Sequence, residues 1–267
     1  MVGISRRGFM ATGAAGVLAT GALGHGRVRF DDPAEPPELL RASPARVAEF
    51  VGACHVRTER VREMLAEEPG LARAAWDWGF GDWETAIGAC SHTGRIEIIE
   101  LLLSHGARPD VFTLATLDEV DAVRAYVERV PNAGSIEGPH SISLFRHARA
   151  GRADRVADYL TSKGLDDTRD RFATDEAVAR PLVGVFAWGP GPTDRFEVAW
   201  VERLGCLSLT PAGDTGRNLM PMPAPAGTGP DALAFRPAGS AGATITFEGP
   251  DRLVVRYLGA SSVAERS

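Results

Sequence analysis

Residues 76–110, WDWGFGDWETAIGACSHTGRIEIIELLLSHGARPD, decide how the rest of the chain is read. Thr85 is placed to cap a short helix with Ile87 and Cys90 on its inward side, because its hydroxyl can take a first-turn N–H. Gly94 supplies the left-handed conformation that ends this helix and turns the chain. A second helix follows, with Ile98, Leu101 and Leu102 at i, i+3 and i+4, and Gly106 closes it. A helix pair this short cannot bury its own apolar stripe and must stack on neighbours.

The segments on either side carry weaker copies. Phe50, Ala53, Val61, Met64 and Leu65 lie a constant 37 positions before Ile87, Cys90, Ile98, Leu101 and Leu102, with Arg57 in the place of Gly94. After Asp110, Leu114, Val120, Val123 and Val127 keep a helical stripe, Asp118 stands for the turn glycine, and Pro131 ends the second helix. A fourth copy runs from Gly138 to Gly164, with Leu144, Ala148 and Gly151 at a further spacing of 33. Thr85-Ala86-Ile87-Gly88, the small Cys90, Gly94, Leu101-Leu102-Leu103 and Gly106-Ala107 with Asp110 together resemble the ankyrin repeat. That resemblance implies an α-solenoid of about four repeats over 44–164, the terminal ones degenerate, binding partners on the concave face of hairpin tips and first helices. Ala86 and Gly88 depart from the family's Pro and His, which removes a pre-set first turn and a side-chain tie between repeats.

Past a charged connector at 165–180, in which Thr174-Asp175-Glu176 reads as a helix cap, the period changes from helical to alternating. Strands are expected at Leu182–Trp188, Phe196–Trp200, Cys206–Thr210, Ala243–Phe247 and Leu253–Leu258, with shorter ones at Leu219-Met220 and Leu233–Phe235. The fold class is therefore α+β: the solenoid, then a small antiparallel β domain over 181–267, a curled sheet or partial barrel. Leu182-x-Gly184-x-Phe186, Leu207-x-Leu209, Ile245-Thr246-Phe247 and the closing Glu265-Arg266 loosely resemble the lipocalin-like β module of exported bacterial proteins.

Ser5-Arg6-Arg7-Gly8-Phe9-Met10, followed by a small-residue run from Ala11 to Leu23, resembles the twin-arginine export signal. The reading that follows is a signal peptide over 1–26, a Pro- and acid-rich linker over 27–43, and a periplasmic or secreted protein. The apolar run is too short and too rich in Ala and Gly for a membrane span, so none is expected after signal cleavage. A net charge of -6 speaks against a nucleic-acid surface, and 44% hydrophobic with 24% charged residues is ordinary for a soluble protein. The three cysteines, an odd number, read as compact apolar residues rather than bridges.

The candidate site is the aromatic hairpin. Trp76, Trp78, Phe80 and Trp83, interleaved with Asp77, Asp82 and Glu84, form a partner-binding tip to which His92 and His140 of neighbouring turns are added. The alternative is that two or three of these aromatics pack beneath adjacent repeats, Trp83 first among them because it stands nearest the helix start. His92, His105, His140 and His147 show no ligand spacing on a single element, so neither metal nor other cofactor is expected. No G-x-S-x-G elbow or phosphate-cradling loop is present, and catalysis is not expected. In the β domain Trp188, Phe196, Trp200, Phe235 and Phe247 read as core before ligand pocket. The functional expectation is a non-catalytic scaffold that binds another envelope protein, its oligomeric state open. Its rivals are a carrier of a small apolar ligand in the β module and a subunit of an exported enzyme. The enzyme rival requires polar groups converging between the two parts.

Overall fold

The computed structural model describes residues 41–167 and 171–267; the expected export signal and most of the linker fall outside them. Helices come in four short pairs: α1 (Pro44–Cys54) with α2 (Thr58–Glu67), α3 (Ala86–His92) with α4 (Ile96–Ser104), α5 (Val111–Thr116) with α6 (Val120–Arg129), and α7 (Leu144–Gly151) with α8 (Asp154–Ser162). Ser43, Thr85, Asp110 and Ser143 cap α1, α3, α5 and α7, each accepting an N–H of the first turn. Phe50, Ile87, Ile98, Ile99, Leu102 and Met64 fill one core between the first two pairs, and Leu144, Ala148, Val156 and Leu160 a second. Among the described residues no helix is long and apolar enough to cross a membrane.

The turns follow the glycine logic with informative exceptions. Gly94 has φ +67, and a Cβ there would lie 2.1 Å from the Ala150 carbonyl oxygen, so the site excludes side chains twice over. Asp118 takes the same left-handed role at φ +61, and its carboxylate accepts from Val156 N–H and Arg155 Nε. In the fourth pair the left-handed residue is Arg152, one beyond Gly151. Gly151 is small for a different reason: a Cβ would meet the Thr116 carbonyl oxygen at 2.0 Å. Arg57, at φ -108, makes the first turn without any left-handed residue.

The C-terminal part is a closed eight-stranded antiparallel barrel rather than a curled or partial one. Its strands are β3 (Gly184–Ala187), β4 (Arg195–Val201), β5 (Cys206–Pro211), β6 (Arg217–Met222), β7 (Leu233–Pro237), β8 (Thr244–Phe247), β9 (Arg252–Tyr257) and β10 (Ala260–Arg266). Each pairs with the next, and β10 closes the ring against β3, Arg266 opposite Phe186. Leu182 and Trp188, expected within the first strand, lie outside it: Leu182 plugs one end from a 3-10 turn, and Trp188 stands 37% exposed against Phe196. Inward alternation fills the interior with Phe186, Phe196, Val198, Leu207, Leu209, Leu219, Phe235, Ile245, Phe247, Leu253 and Ala264. The short helix α9 (Glu176–Ala179), capped by Asp175, lies at the same end as Leu182.

Gly94→Ala should lower stability by about 3 kcal/mol, combining left-handed strain with an overpacked backbone contact. On a domain of this size that is a fall of roughly 5–10 °C in Tm, read by circular dichroism.

Candidate functional site

Strands β1 (Ala75–Asp77) and β2 (Trp83–Thr85) form a two-stranded ladder, Trp76 opposite Glu84. Its tip, Gly79-Phe80-Gly81, is left-handed at all three residues. That tip is used within the molecule. Phe80 packs on the barrel core and edge-on to Tyr257, 5.8 Å between ring centres. Trp76 and Trp78 lie against the first helical core, and Asp77 accepts the Gly79 N–H. The alternation of β2 then sends Glu84 inward and Trp83 outward, so Trp83, expected to be structural, is 65% exposed.

Glu84 is wholly buried. Its carboxylate accepts from Trp78 Nε1 at 2.7 Å and from His92 Nε2 at 2.9 Å, while His55 Nε2 and His140 Nε2 each stand 3.4 Å away. Four different backbones deliver these groups. His55 caps the C-terminus of α1 and directs Nδ1 to the Val51 and Gly52 carbonyls at 3.2 Å. His92 is the last residue of α3, and Trp78 and Glu84 come from the hairpin. His140 sits in a turn before α7 at φ +58, followed by Ser141 at φ +59. Two consecutive left-handed residues other than glycine cost on the order of 1–3 kcal/mol each, and such strain concentrates at functional sites.

The barrel reaches the same place through Asp82, which is 1% exposed. Asp82 accepts from His140 N–H at 2.9 Å and His140 Nδ1 at 2.6 Å, and Arg217 Nε of β6 stands 3.5 Å away. Gly239 makes this approach possible, since a Cβ there would lie 2.0 Å from Asp82 Oδ1. Beside it Ser141 Oγ accepts from Gly239 N–H, and Arg236 of β7 pairs with Glu137. The two carboxylates Asp82 and Glu84 therefore face two cationic side chains, His140 and Arg217, across the seam between helices and barrel.

Burial alone would depress the His140 imidazole; hydrogen bonds to Asp82 and Glu84 outweigh it and raise the pKa to about 9. Burial would likewise raise Glu84, but hydrogen bonds from His140 and His92 bring it well below the usual carboxylate range. His55 is lowered, chiefly by burial. His147 is wholly buried near His92, donates Nδ1–H to the Ser143 carbonyl at 2.8 Å, and is pushed down to about 4 by desolvation.

Of the residues expected at a partner-binding tip, only Trp83 presents its side chain freely. Asp82, Glu84, His92 and His140 gather instead into one polar centre, with Trp78 at its edge. His55 and Arg217 belong to the same centre and went unrecognised in the sequence. His55 had a signal: it lies the same 37 positions before His92 that align the first two helix pairs. Three imidazoles and one carboxylate (His55, His92, His140, Glu84) bring one donor atom each to within 4.8 Å of one another. His105 is elsewhere, bonded through Nδ1 to Leu101 O.

No protein-family profile matches the chain, and no curated protein matches its sequence.

The pH dependence of stability follows from two histidines. His140, raised when folded, contributes fully below pH 6.5 and loses its contribution as pH rises through 9. His147, depressed when folded, costs nothing above pH 6.5 and destabilises as pH falls through 4. Stability should therefore peak near pH 6.5, with up to about 3 kcal/mol lost on each limb. Urea unfolding across pH checks this: His147→Gln should flatten the acid limb and His140→Gln the alkaline one.

Proposed function

We propose that the protein is an exported, non-catalytic binding protein built on ankyrin-type helix pairs, with its working site at the polar seam around Glu84. The observation that carries this reading is the convergence of groups from the hairpin, two first helices, a strained turn and a barrel strand on two buried carboxylates, Glu84 and Asp82. His55 and His140, each about a quarter exposed, leave the centre open to solvent from one side. Capped first helices, left-handed turns at Gly94 and Asp118 and short stacked pairs support the ankyrin reading, and the twin-arginine-like start supports export. Convergence between the two parts is the feature an enzyme would also need, and binding is the simpler use of it. The packed barrel interior gives an apolar ligand no comparable place.

A structural ion network and a binding site differ in whether a bound species answers to Glu84→Gln. A purely structural carboxylate should cost about 3–5 kcal/mol on replacement, because its buried partners lose their counter-charge. A carboxylate that also binds a ligand shares that cost, because the same partners lose the same counter-charge, so the bound species is what separates the two. Native mass spectrometry of the protein isolated from its own cells should show a bound small species that Glu84→Gln loses. No bound species, together with the large stability loss, would leave the seam a structural joint.

A second reading rests on Trp83, exposed beside a groove lined by Asp110, Phe112, Glu137 and Pro139. It is the residue through which the hairpin can still meet another envelope protein. In a pull-down from envelope extract, Trp83→Ala should lose that partner while Trp78 and Phe80 remain intact. Equal capture by wild type and variant would remove Trp83 from the interface.

A further inference from the structure

The four side chains around the Glu84 centre have the composition and the aim of a metal site. We propose that His55, His92, His140 and Glu84 hold one divalent transition-metal ion of the zinc class. This rests on the seam being a binding site and names what it binds. One donor atom from each of the four side chains lies within 4.8 Å of the other three. Donors on a tetrahedral zinc with bonds of about 2.0–2.2 Å stand ~3.4 Å apart. Glu84 Oε1 stands 2.9 Å from His92 Nε2 and 3.4 Å from His140 Nε2, already close to that size, and His55 Nε2 lies 3.4 Å from the other oxygen, Oε2.

The second ring nitrogens show which atom each imidazole reserves. His140 directs Nδ1 to Asp82 at 2.6 Å, the carboxylate–histidine pairing that orients metal ligands and raises their basicity. His55 directs Nδ1 to two backbone carbonyls, which accept and cannot donate. With Nδ1 carrying that proton, the neutral imidazole turns the Nε2 lone pair toward a carboxylate oxygen 3.4 Å away. That oxygen is Oε2, and the His55 lone pair meets the carboxylate's negative charge with no proton between them, which a cation at the centre relieves. Trp78 Nε1–H occupies Oε2 of Glu84, so the carboxylate offers Oε1 as a single donor.

Three imidazoles and one carboxylate select a borderline transition metal. Calcium and magnesium ask for six or more oxygens, and no thiolate is at hand for a soft ion. The nearby thiols of Cys54 and Cys90 are buried, and Cys90 Sγ donates to Ile87 O within its own helix. The ligands come from the first, second and fourth helix pairs, so the site exists only when the pairs are stacked. An ion bound there favours the folded chain by mass action. A hydrogen-bonded network without metal needs one cation per carboxylate. It gives no reason for three imidazoles to crowd a single one, nor for His140 and Ser141 to be held left-handed in succession.

The test uses the full, untagged chain stripped with a chelator and titrated with zinc, cobalt(II), calcium or magnesium by calorimetry. Expected are one equivalent of zinc, intense visible bands from tetrahedral cobalt(II), and no heat from calcium or magnesium. His55→Gln and His92→Gln should each weaken zinc binding at least ~100-fold, and Asp82→Asn by about 10–100-fold. Zinc X-ray absorption on the wild type should count three imidazoles and one oxygen, which keeps the test independent of variants that fail to fold. Any other first-shell count, or zinc binding unchanged in a folded His55→Gln/His92→Gln variant, overturns the proposal. An organic species at the seam with no metal would overturn the metal and leave the binding site standing. Neither species, with a destabilising Glu84→Gln, would remove both.

Discussion

A carboxylate with no solvent exposure must be matched by donors, or the chain would protonate it or not fold around it. Glu84 is such a group, and much of the molecule's arrangement answers to it. The indole of Trp78 reaches it from the same hairpin and the imidazole of His92 from α3, and His140 is brought in by a turn that runs against backbone preference. His140 in turn requires Asp82, and Asp82 requires the Arg217 guanidinium and the bare backbone of Gly239. One buried charge in a three-residue strand thus propagates through hydrogen bonds into the helices on one side and the barrel on the other.

That chain of requirements explains why the aromatic tip is not free. Phe80 is taken up by the barrel and Tyr257 closes over Gly81, where a Cβ would lie 2.8 Å from its hydroxyl. What remains open on this side is the exposed Trp83 and the edge of the polar centre at His55 and His140.

Much of the fold was legible because its signals are local. Thr85 and Gly94 act within one helix pair and are found where their chemistry placed them, and Ile98 and Leu102 are buried, with Ile99 fully inside and Leu101 only half-buried. Five strands were legible from alternation, and two more as short segments. β10 was not, because Ala260–Arg266 carries one inward residue, Ala264, among polar ones, and its pairing with both β9 and β3 is a property of closure. Asp82, Glu84, His92 and His140 stood out in the sequence, but their convergence did not, nor did His55 and Arg217. No single element carries a ligand spacing, whereas stacked helix pairs bring together residues 37 positions apart, as His55 and His92 are. Trp83 stands outward although it lies nearest the helix start, because the two-residue period of β2 commits the inward position to Glu84.

Gly239 has a further consequence. A glycine pressed against the Asp82 carboxylate, with no room for a single methyl, means that helices and barrel have been fitted to one another atom by atom. Such a pair does not behave as interchangeable cassettes. A gene fusion that joined this helical array to another barrel would meet a carboxylate without its arginine and a seam without its gap. The two parts are expected to have diversified as one inherited piece, their shared surface changing only where both sides change together.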